Sequence, residues 1–338
     1  MLRKISLIGL LALLLTIPNV SKAVDSAKPF LGRWALFLPG GAGWLELKQM
    51  DGYLDASLLW YGGSVEPVTS VFMEDETLVV TRTRNIVRTT DAAGAATRTH
   101  IVNTQFRFSL YGEQLVGEEV SPEKDGSCTK MRFTGRKIAD VPSAPDLSKL
   151  VFGKPVKLLN GKDITGWKLL EENKVNGWSI VDGVLVNDPA QKEGQPHVQY
   201  GNLCTVDKYE DFNLKLQVNV PAGSNSGVYL RGIYEIQVLD SYGKPLDPHN
   251  MGALYSRITP SESAEKPAGT WQDLDITLCD RHVTVILNGK TIINNQPVLG
   301  CTGGAITPDE FIPGPIYLQG DHGKVSYRNI EIKPILHK

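Results

Sequence analysis

Residues that would support several common kinds of site are scarce in this sequence. There are 4 cysteines and 6 histidines among 338 residues, and the spacing of Cys128, Cys204, Cys279 and Cys301 fits no zinc-binding motif. We expect buried free thiols or one disulfide within the second half of the chain. Charge of one sign is also lacking, with 35 Lys and Arg against 37 Asp and Glu and no basic stripe. Nucleic acid is therefore not an expected partner.

Long apolar runs are missing beyond the N-terminus. The run Ile5–Ile17 follows Arg3 and Lys4 and precedes Ser21-Lys22-Ala23, which has small residues at the positions of a signal-peptidase site. This pattern predicts a signal peptide at residues 1–23, because the run is too short for a permanent membrane span. No cysteine follows it, so no lipoprotein anchor is expected. We predict a periplasmic or secreted protein with no membrane span after signal cleavage, and a formal net charge of −5 from 32 basic and 37 acidic residues.

Apolar residues also fail to repeat with the helical period of 3.6 over any long stretch, whereas 33 Gly and 20 Pro are spread along the chain. Many short strands and turns would produce this composition, so we predict an all-β protein. The length favours two domains. We place a small all-β domain at residues 29–138, a proline-containing linker at 139–150 and a second domain at 151–338.

Alternating segments in the first domain predict an antiparallel meander that closes, or nearly closes, into a small barrel or sandwich. The predicted strands start at 31, 44, 54, 67, 77, 105, 114 and 130. Nothing here resembles a catalytic set of residues. We therefore expect an accessory or packing role, with ligand binding as the alternative.

The most informative segment is Asn225–Asp240, which predicts two strands on either side of Gly232. Period-two alternation divides both strands into an apolar and a polar face. The apolar positions are Val228, Leu230, Tyr234, Ile236 and Val238, and the polar positions are Tyr229, Arg231, Glu235 and Gln237. Such a polar face predicts a site for a polar ligand on a β-scaffold.

The motifs of the second domain also follow a recognisable order. They are LLNGKDITGW (158–167), WSIVDGVL (178–185), LCTVDKYEDFNLKL (203–216), NSGVYLR (225–231), YEIQVLD (234–240), GALY (252–255), TWQDLDI (270–276), VILNGK (285–290) and IYLQGDHGKVSYRNIEIKP (316–334). From about residue 150 to 338 the chain resembles the secreted bacterial 3-keto-disaccharide hydrolases. The resemblance implies a concanavalin-like jelly-roll β-sandwich with its site on the concave sheet, and cleavage of 3-keto-glucosides or 3-keto-disaccharides.

A conventional glycosidase pair is not supported within the 234–240 strand. Glu235 and Asp240 lie five residues apart, so a regular strand separates them by roughly 17 Å and places them on opposite faces. Paired catalytic carboxyl groups lie about 5–9.5 Å apart. The ketone implied by the resemblance changes the requirement, because it acidifies the proton on C2. One base and one oxyanion stabiliser then suffice for elimination of the aglycone, and water adds afterwards.

We predict Glu235 and Arg231 as the base and the stabiliser, with a structural ion pair between them as the alternative. His322, in a turn after Gln319, is predicted as an acid–base or a metal ligand, against a role in the turn. The predicted substrate-binding residues are Gln237, Gln319, Tyr229, which would stack on a sugar, and Asp240, for which capping of a turn is the alternative.

The expected partner is a carbohydrate substrate. No cofactor is predicted, and a divalent metal stays an open alternative. The rival functions are a non-catalytic carbohydrate-binding protein and a conventional glucanase with acids supplied from elsewhere. Trp167, Trp178 and Trp271 are expected in the core, and the loop histidines His197 and His249 at the rim of the site.

Overall fold

A computed structural model of the chain describes residues 26–192 and 194–336, so the signal peptide predicted at residues 1–23 lies outside the described residues. The prediction of an all-β protein is confirmed. The described chain forms three antiparallel sheets and two short 3₁₀-helices, at Lys28–Phe30 and Leu147–Lys149. None of the described helices is long and apolar enough to span a bilayer.

The first nine strands form one sheet, in the order β4-β3-β2-β1-β9-β8-β7-β6-β5. They are β1 (Gly32–Leu38), β2 (Gly41–Gln49), β3 (Leu54–Trp60), β4 (Gly62–Pro67), β5 (Ser70–Glu74), β6 (Thr77–Thr90), β7 (Ala96–Tyr111), β8 (Gln114–Pro122) and β9 (Cys128–Lys137). Val68 N donates to the carbonyl oxygen of Ala56 in β3, and Thr69 N to that of Thr81 in β6. These bonds nearly close the sheet, which we call the barrel, as the meander pattern predicted.

Two further sheets make up the second half of the chain, which we call the sandwich. The eight-stranded sheet has the order β12-β13-β22-β15-β18-β19-β20, with β10 also paired to β22. Its strands are β10 (Val156–Lys157), β12 (Trp178–Val181), β13 (Val184–Asn187), β15 (Phe212–Asn219), β18 (Trp271–Cys279), β19 (His282–Leu287), β20 (Lys290–Pro297) and β22 (Val325–Pro334).

The five-stranded sheet has the order β11-β14-β21-β16-β17. Its strands are β11 (Trp167–Leu169), β14 (Leu203–Thr205), β16 (Asn225–Leu230), β17 (Tyr234–Leu239) and β21 (Tyr317–Leu318). The predicted apolar residues of β16 and β17 are fully buried against the eight-stranded sheet, in one core with Phe212, Leu214 and Ile276. Two sheets that bury their inner faces against each other give the jelly-roll type of sandwich that the resemblance implied.

The barrel packs directly on the sandwich. Ala35, Ala42, Trp44 and Leu59 of the barrel belong to the same buried cluster as the sandwich core. The Arg257 guanidinium lies 4.3 Å from the centre of the Trp44 ring, as in a cation–π contact. The division into two domains at residues 139–150 therefore stays a proposal. The hydrophobic core is continuous between the barrel and the sandwich.

Some of the expectations for the cysteines and tryptophans are met and others are not. All four cysteines are free thiols, of which only Cys128 is exposed, so the alternative of buried free thiols is the correct one for the other three. Trp167 and Trp178 are buried as expected. Trp271 is partly exposed and lies beneath the guanidinium of Arg328, 4.0 Å from its ring centre.

Candidate active site

Cross-strand neighbours place a row of polar side chains on the open face of the five-stranded sheet. Tyr229 in β16 lies opposite Glu235 in β17 and also opposite Tyr317 in β21. Directly opposed residues of antiparallel strands project on the same face. A second row lies beside the first, since Gly227 is opposite Gln237 and accepts a backbone hydrogen bond from Gln319.

A cavity of about 330 Å³ lies above these rows, and we call it the Glu235 cavity. The sandwich lines it with carboxyl, amide, imidazole and phenol groups. They belong to Glu171, Asn202, Asn225, Tyr229, Glu235, Gln237, Tyr255, Tyr317, Gln319, Asp321 and His322. A concave site of this size with converging polar groups suits a small polar ligand.

Glu235 is the most perturbed acid of the cavity. Its side chain belongs to a residue only 3% exposed, and burial raises the pKa of its carboxyl to about 8. The hydrogen bond from Tyr229 and the charge of His322 lower this pKa, whereas the charge of Asp321 raises it. A buried carboxyl whose pKa lies near neutrality is suited to exchanging a proton with a ligand.

The Tyr229 hydroxyl fixes the orientation of Glu235. Its oxygen lies 2.8 Å from Glu235 Oε2 and 2.7 Å from the carbonyl oxygen of Gly303. A phenol has one proton and can donate to only one of these two acceptors. When Glu235 is protonated, it can donate to Tyr229 while Tyr229 donates to Gly303, and all three groups are satisfied. When Glu235 is ionised, the proton of Tyr229 turns towards it and the carbonyl loses its partner.

Glycines make the room that this arrangement requires. A Cβ atom at Gly227 would lie 2.2 Å from Glu235 Oε1, and one at Gly304 would lie 2.6 Å from the Tyr229 hydroxyl oxygen. Real side chains do not approach this closely. The glycine of the NSGVYLR motif is therefore needed because the carboxyl of Glu235 occupies the position of its missing side chain.

Of the described residues that line the Glu235 cavity, His322 is the one that can carry a positive charge. Its Nδ1 atom lies 2.6 Å from Asp321 Oδ1. This hydrogen bond is the main reason why the pKa of His322 is raised, and burial opposes it. For Asp321, burial favours the neutral form, yet the bond and charge of His322 leave the pKa of the carboxyl below its usual value. The pair therefore favours an imidazolium beside a carboxylate.

Two amide oxygens at the cavity have no hydrogen-bond partner. They are Asn225 Oδ1 and Gln319 Oε1, both buried. Buried polar atoms are nearly always satisfied, so such a pair beside a cavity marks places where a ligand hydroxyl can donate. Gln237, only 3% exposed, also lines the cavity, and its Oε1 accepts from the backbone nitrogen of Val238.

Comparison with known proteins identifies the second half of the chain. A sequence model described as the 3-keto-alpha-glucoside-1,2-lyase-like domain matches residues 154–333, more than half of the chain. The chain belongs to this family. The 3-keto-alpha-glucoside-1,2-lyase-like family indicates a carbohydrate-active protein of the glycosyl hydrolase type, as the motifs predicted.

Solved structures with similar folds were also found, whereas curated proteins gave no match. A protein from Parabacteroides distasonis assigned as a glycosyl hydrolase is 28% identical over 59% of this chain and 94% of its own, with a TM-score of 0.44. A second such protein from that organism is 23% identical over 53% and 93%, with a TM-score of 0.42. The carbohydrate-binding module CBM66 from Bacillus subtilis is 11% identical over 49% and 95%, with a TM-score of 0.33.

The position of Arg231 contradicts the prediction that it lies beside Glu235. Arg231 has left the strand, with a φ of 56°, and its guanidinium donates to the carbonyl oxygens of Glu310 and Ile312. It does not line the Glu235 cavity. Arg231 is therefore not placed to act as the predicted oxyanion stabiliser and does not form the alternative ion pair with Glu235. The period-two alternation that would put the two residues on one face ends at the turn.

Two predicted substrate contacts are also corrected. Asp240 lies outside the cavity lining, and its Oδ2 accepts a hydrogen bond from Gly223 N at 2.9 Å, so it holds a loop together. The ring of Tyr229 stacks on Tyr317, with centres 4.0 Å apart and planes at 10°. Because Tyr317 covers this ring and the residue is 1% exposed, the hydroxyl of Tyr229 rather than its face is directed at the site. Glu235, Gln237, Gln319 and His322 lie where the predictions place them, at one cavity.

The barrel contributes a wall that the sequence did not predict. Gly40, Gly62 and Gly63 line the Glu235 cavity, and Gly304 N donates to the carbonyl oxygen of Tyr61. A Cβ atom at Gly303 would lie 2.1 Å from the carbonyl oxygen of Gly63. The Gly62-Gly63 pair was the available signal, since paired glycines permit close approach of two backbones.

A hydrogen bond of His249 also connects the barrel to the sandwich at this wall. His249 Nε2 lies 2.8 Å from Ser64 Oγ in the barrel, and its Nδ1 lies 2.5 Å from Asp247 Oδ1. Ser256 Oγ accepts a hydrogen bond from Val65 N. The rim position expected for His249 is thus a contact between barrel and sandwich.

Glu171, Glu235, Asp321 and His322 of the Glu235 cavity offer potential ligand atoms, but the described residues form no cluster there in which three such atoms lie within 4.8 Å of one another. Within residues 26–192 and 194–336, ligand atoms of three or more such residues come within 4.8 Å of one another at Asp211, Cys279 and Asp280. There, burial raises the pKa of the Cys279 thiol to about 12, which keeps it protonated and makes it a weak ligand. Metal binding therefore stays the open alternative that the sequence left.

Proposed function

We propose that the protein cleaves the glycosidic bond of 3-keto-glucosides or 3-keto-disaccharides, with Glu235 as the base that removes the C2 proton. The observation that carries this proposal is the buried carboxyl of Glu235, with a pKa of about 8, in a polar cavity of a 3-keto-alpha-glucoside-1,2-lyase-like domain. A base of this strength matches the weak acidity of a proton beside a ketone.

The reaction would proceed in two steps. Ionised Glu235 takes the proton from C2, the electrons of that bond form the C1=C2 double bond, and the bond from C1 to the aglycone oxygen breaks. Negative charge that builds up on the C3 oxygen would be stabilised by the His322 imidazolium, which replaces Arg231 in this role. The aglycone oxygen takes up the proton that Glu235 removed, and water then adds its hydroxyl group to C1 and its proton to C2. The sum of both steps is hydrolysis.

Recognition of the sugar would use the amides. Asn225 Oδ1 and Gln319 Oε1 lack partners and would accept from substrate hydroxyls, with Gln237 beside them. We further propose that the reaction takes place outside the cytoplasm, because residues 1–23 have the pattern of an export signal. The ketone must be installed beforehand by an oxidoreductase acting on the glucoside.

The test compares 4-nitrophenyl glucoside with its 3-keto derivative in D₂O. Proton abstraction predicts release of nitrophenol from the keto substrate alone and a product carrying deuterium at C2. A parallel sample of product incubated without protein measures spontaneous exchange. Cleavage of the keto substrate with no enzyme-dependent deuterium at C2 would overturn the mechanism, and binding of both compounds without cleavage would indicate a carbohydrate-binding protein.

A conventional hydrolase is the second candidate, because one observation favours it. The pKa of Glu235 is raised while that of Asp321 is lowered, and both residues line one cavity. Carboxyl groups whose pKa values are driven apart are typical of an acid and its partner in glycosidases. Release of nitrophenol from the plain glucoside, lost in Asp321→Asn, would support this candidate over the first.

A further inference from the structure

A second cavity lies on the same face of the five-stranded sheet. It measures about 310 Å³, and we call it the lysine cavity because Lys168 and Lys208 line it. Cys204 and Arg231 also line it, and both Leu170 and Ile306 are shared with the Glu235 cavity. The two cavities are therefore neighbours that share these two apolar side chains as a boundary.

Register shows how the cavities are aligned. The row that begins at Glu235 and Tyr229 continues through Tyr317 to Cys204 in β14 and then to Lys168 in β11. Four strand spacings separate the two ends of this row, roughly 19 Å between backbones. One row of side chains thus runs from the proposed base, across the whole sheet, into the lysine cavity.

The wall of the barrel lies at the other end of this row. Tyr255, whose ring packs edge-on against His249, donates its backbone N–H to the backbone carbonyl oxygen of Glu235 in the edge strand β17. His249 in turn contacts Ser64 of the barrel. The barrel therefore borders the Glu235 cavity at the β17 edge, whereas the lysine cavity lies towards the β11 edge. A substrate that extends from the Glu235 cavity along the row towards β11 would enter the lysine cavity.

The chemistry of the lysine cavity defines what it would bind. Its apolar walls are Leu170, Val206, Ile306, Ile312, Pro313 and Pro315. Among the residues that the structure describes, the charged residues lining it are all cationic, with no Asp or Glu. No ion pair in the described part of the chain occupies the ammonium groups of Lys168 or Lys208. An apolar surface edged by unpaired cations is complementary to an apolar ligand with an anionic end.

We propose that the lysine cavity is the leaving-group subsite, and that it takes an elongated apolar aglycone that ends in a carboxylate or another anion. The proposal rests on the proposed function, since it assigns the 3-keto sugar to the Glu235 cavity. The aglycone would leave C1 beside Glu235, cross the boundary at Leu170 and Ile306, and bring its anionic end to Lys168 and Lys208. A phenolic acid joined through its phenol oxygen has the required shape and charge.

The test uses two 3-keto-glucosides whose aglycones have the same aryl skeleton but differ in charge, one of 4-hydroxycinnamate and one of its methyl ester. We expect kcat/KM to be higher for the carboxylate. Lys168→Glu and Lys208→Glu should each lower kcat/KM for the carboxylate by roughly fivefold and leave the ester within about twofold. Lys124→Glu, an exposed lysine in a turn of the barrel, makes the same change in net charge and should change neither.

A steric variant tests the same subsite without charge. Val206 lines the lysine cavity and is 58% exposed, so Val206→Trp can be accommodated at the surface while it fills the cavity. It should lower kcat/KM for both aryl substrates and spare methyl 3-keto-glucoside. Val181→Trp, at a similarly exposed valine in β12, is the matched control.

The outcomes separate the subsite from the reaction. Equal kcat/KM for carboxylate and ester in the native chain, or equal losses on both in the lysine variants, would overturn the subsite while the ester still reports the reaction. If the native protein cleaves neither compound, the proposed function fails. Calorimetric titration with free 4-hydroxycinnamate then decides the subsite alone, which requires binding that Lys168→Glu weakens and Lys124→Glu does not.

Discussion

The barrel and the five-stranded sheet use the same antiparallel pairing but differ in whether they bury charged residues. Inside the barrel, Trp34, Leu45, Phe106 and Phe108 pack in an apolar cluster, and none of the described Asp, Glu, Lys or Arg residues of the barrel is buried. Its charges lie at the surface, as in the exposed ion pair of Arg82 with Glu66. Such a surface pair adds little stability and needs no function to explain it.

The five-stranded sheet has one apolar face like that of the barrel, but its other face buries Glu235, Gln237 and Tyr229. Burial of the Glu235 carboxyl opposes its ionisation and costs folding free energy, and the charge of His322 offsets only part of this effect. A fold that retains such a group, and clears space for it at Gly227, does so for a purpose other than stability. In this protein, the buried acid that lines a cavity distinguishes the five-stranded sheet from the barrel, whereas the number of charged residues does not.

The largest expected effect is that of Glu235→Gln, which keeps the shape of the side chain and removes its titration. We expect a loss of about 10²–10⁴ in kcat/KM for a 3-keto-glucoside, because the proposed base is gone. Glu118→Gln, at a partly exposed residue of the barrel that pairs with the exposed Lys130 and Arg132, should change kcat/KM by less than about twofold. Full activity of Glu235→Gln would show that the buried acid is not the base.

The same variant has a predicted effect on stability. The pKa of Glu235 is raised to about 8 in the folded state, so the native protein holds this proton at pH values where the unfolded chain has released it. The free energy of unfolding therefore falls as the pH rises from about 4.5 through about 8. Glu235→Gln should lose this component of the fall, measured by urea unfolding across that range, and Glu118→Gln should retain it.

A second variant acts on Glu235 through its neighbour. Gly227→Ala places a methyl group where Glu235 Oε1 now lies, so the carboxyl must move. A displacement of about 1 Å in an active site can cost roughly 10²-fold, and we expect a loss of kcat/KM of that order. Gly153→Ala, where the new methyl group would have ordinary contacts of 3.5 Å or more, is the control. An unchanged kcat/KM would mean that the position of Glu235 is not important.

A third variant asks whether the barrel wall limits the substrate. A Cβ atom at Gly62 meets nothing within 4 Å, so Gly62→Phe can project its ring at the Glu235 cavity. We expect KM for a 3-keto-disaccharide to rise by roughly tenfold, with a smaller change in kcat, because the ring competes for space with the substrate. Ile101→Phe, at an exposed position of β7 in the same sheet, should leave both constants unchanged. Normal constants in Gly62→Phe would reduce the barrel to a packing role.

The sequence predicted the two faces of the strand because period-two alternation is a local property of the chain. It placed Tyr234, Ile236 and Val238 in the core and Glu235 and Gln237 on the opposite face, as the structure confirms. It was wrong for Arg231 because alternation holds only within a strand, and a residue with φ of 56° has left the strand. It could not reveal the wall at Gly62, since that contact depends on how two separately folded sheets pack.

The smallest effect concerns the charge beside the buried acid. The imidazolium of His322 lowers the pKa of Glu235, so His322→Gln should raise that pKa further. Because the base acts in its ionised form, the ascending limb of kcat/KM against pH, expected at about 8, should move to higher pH by less than about one unit. His197→Gln, at an exposed loop position, should leave the limb in place. A shift to lower pH would contradict the sign of this interaction, whereas a fall in the plateau rate with no shift would mean that His322 stabilises the enolate without tuning Glu235.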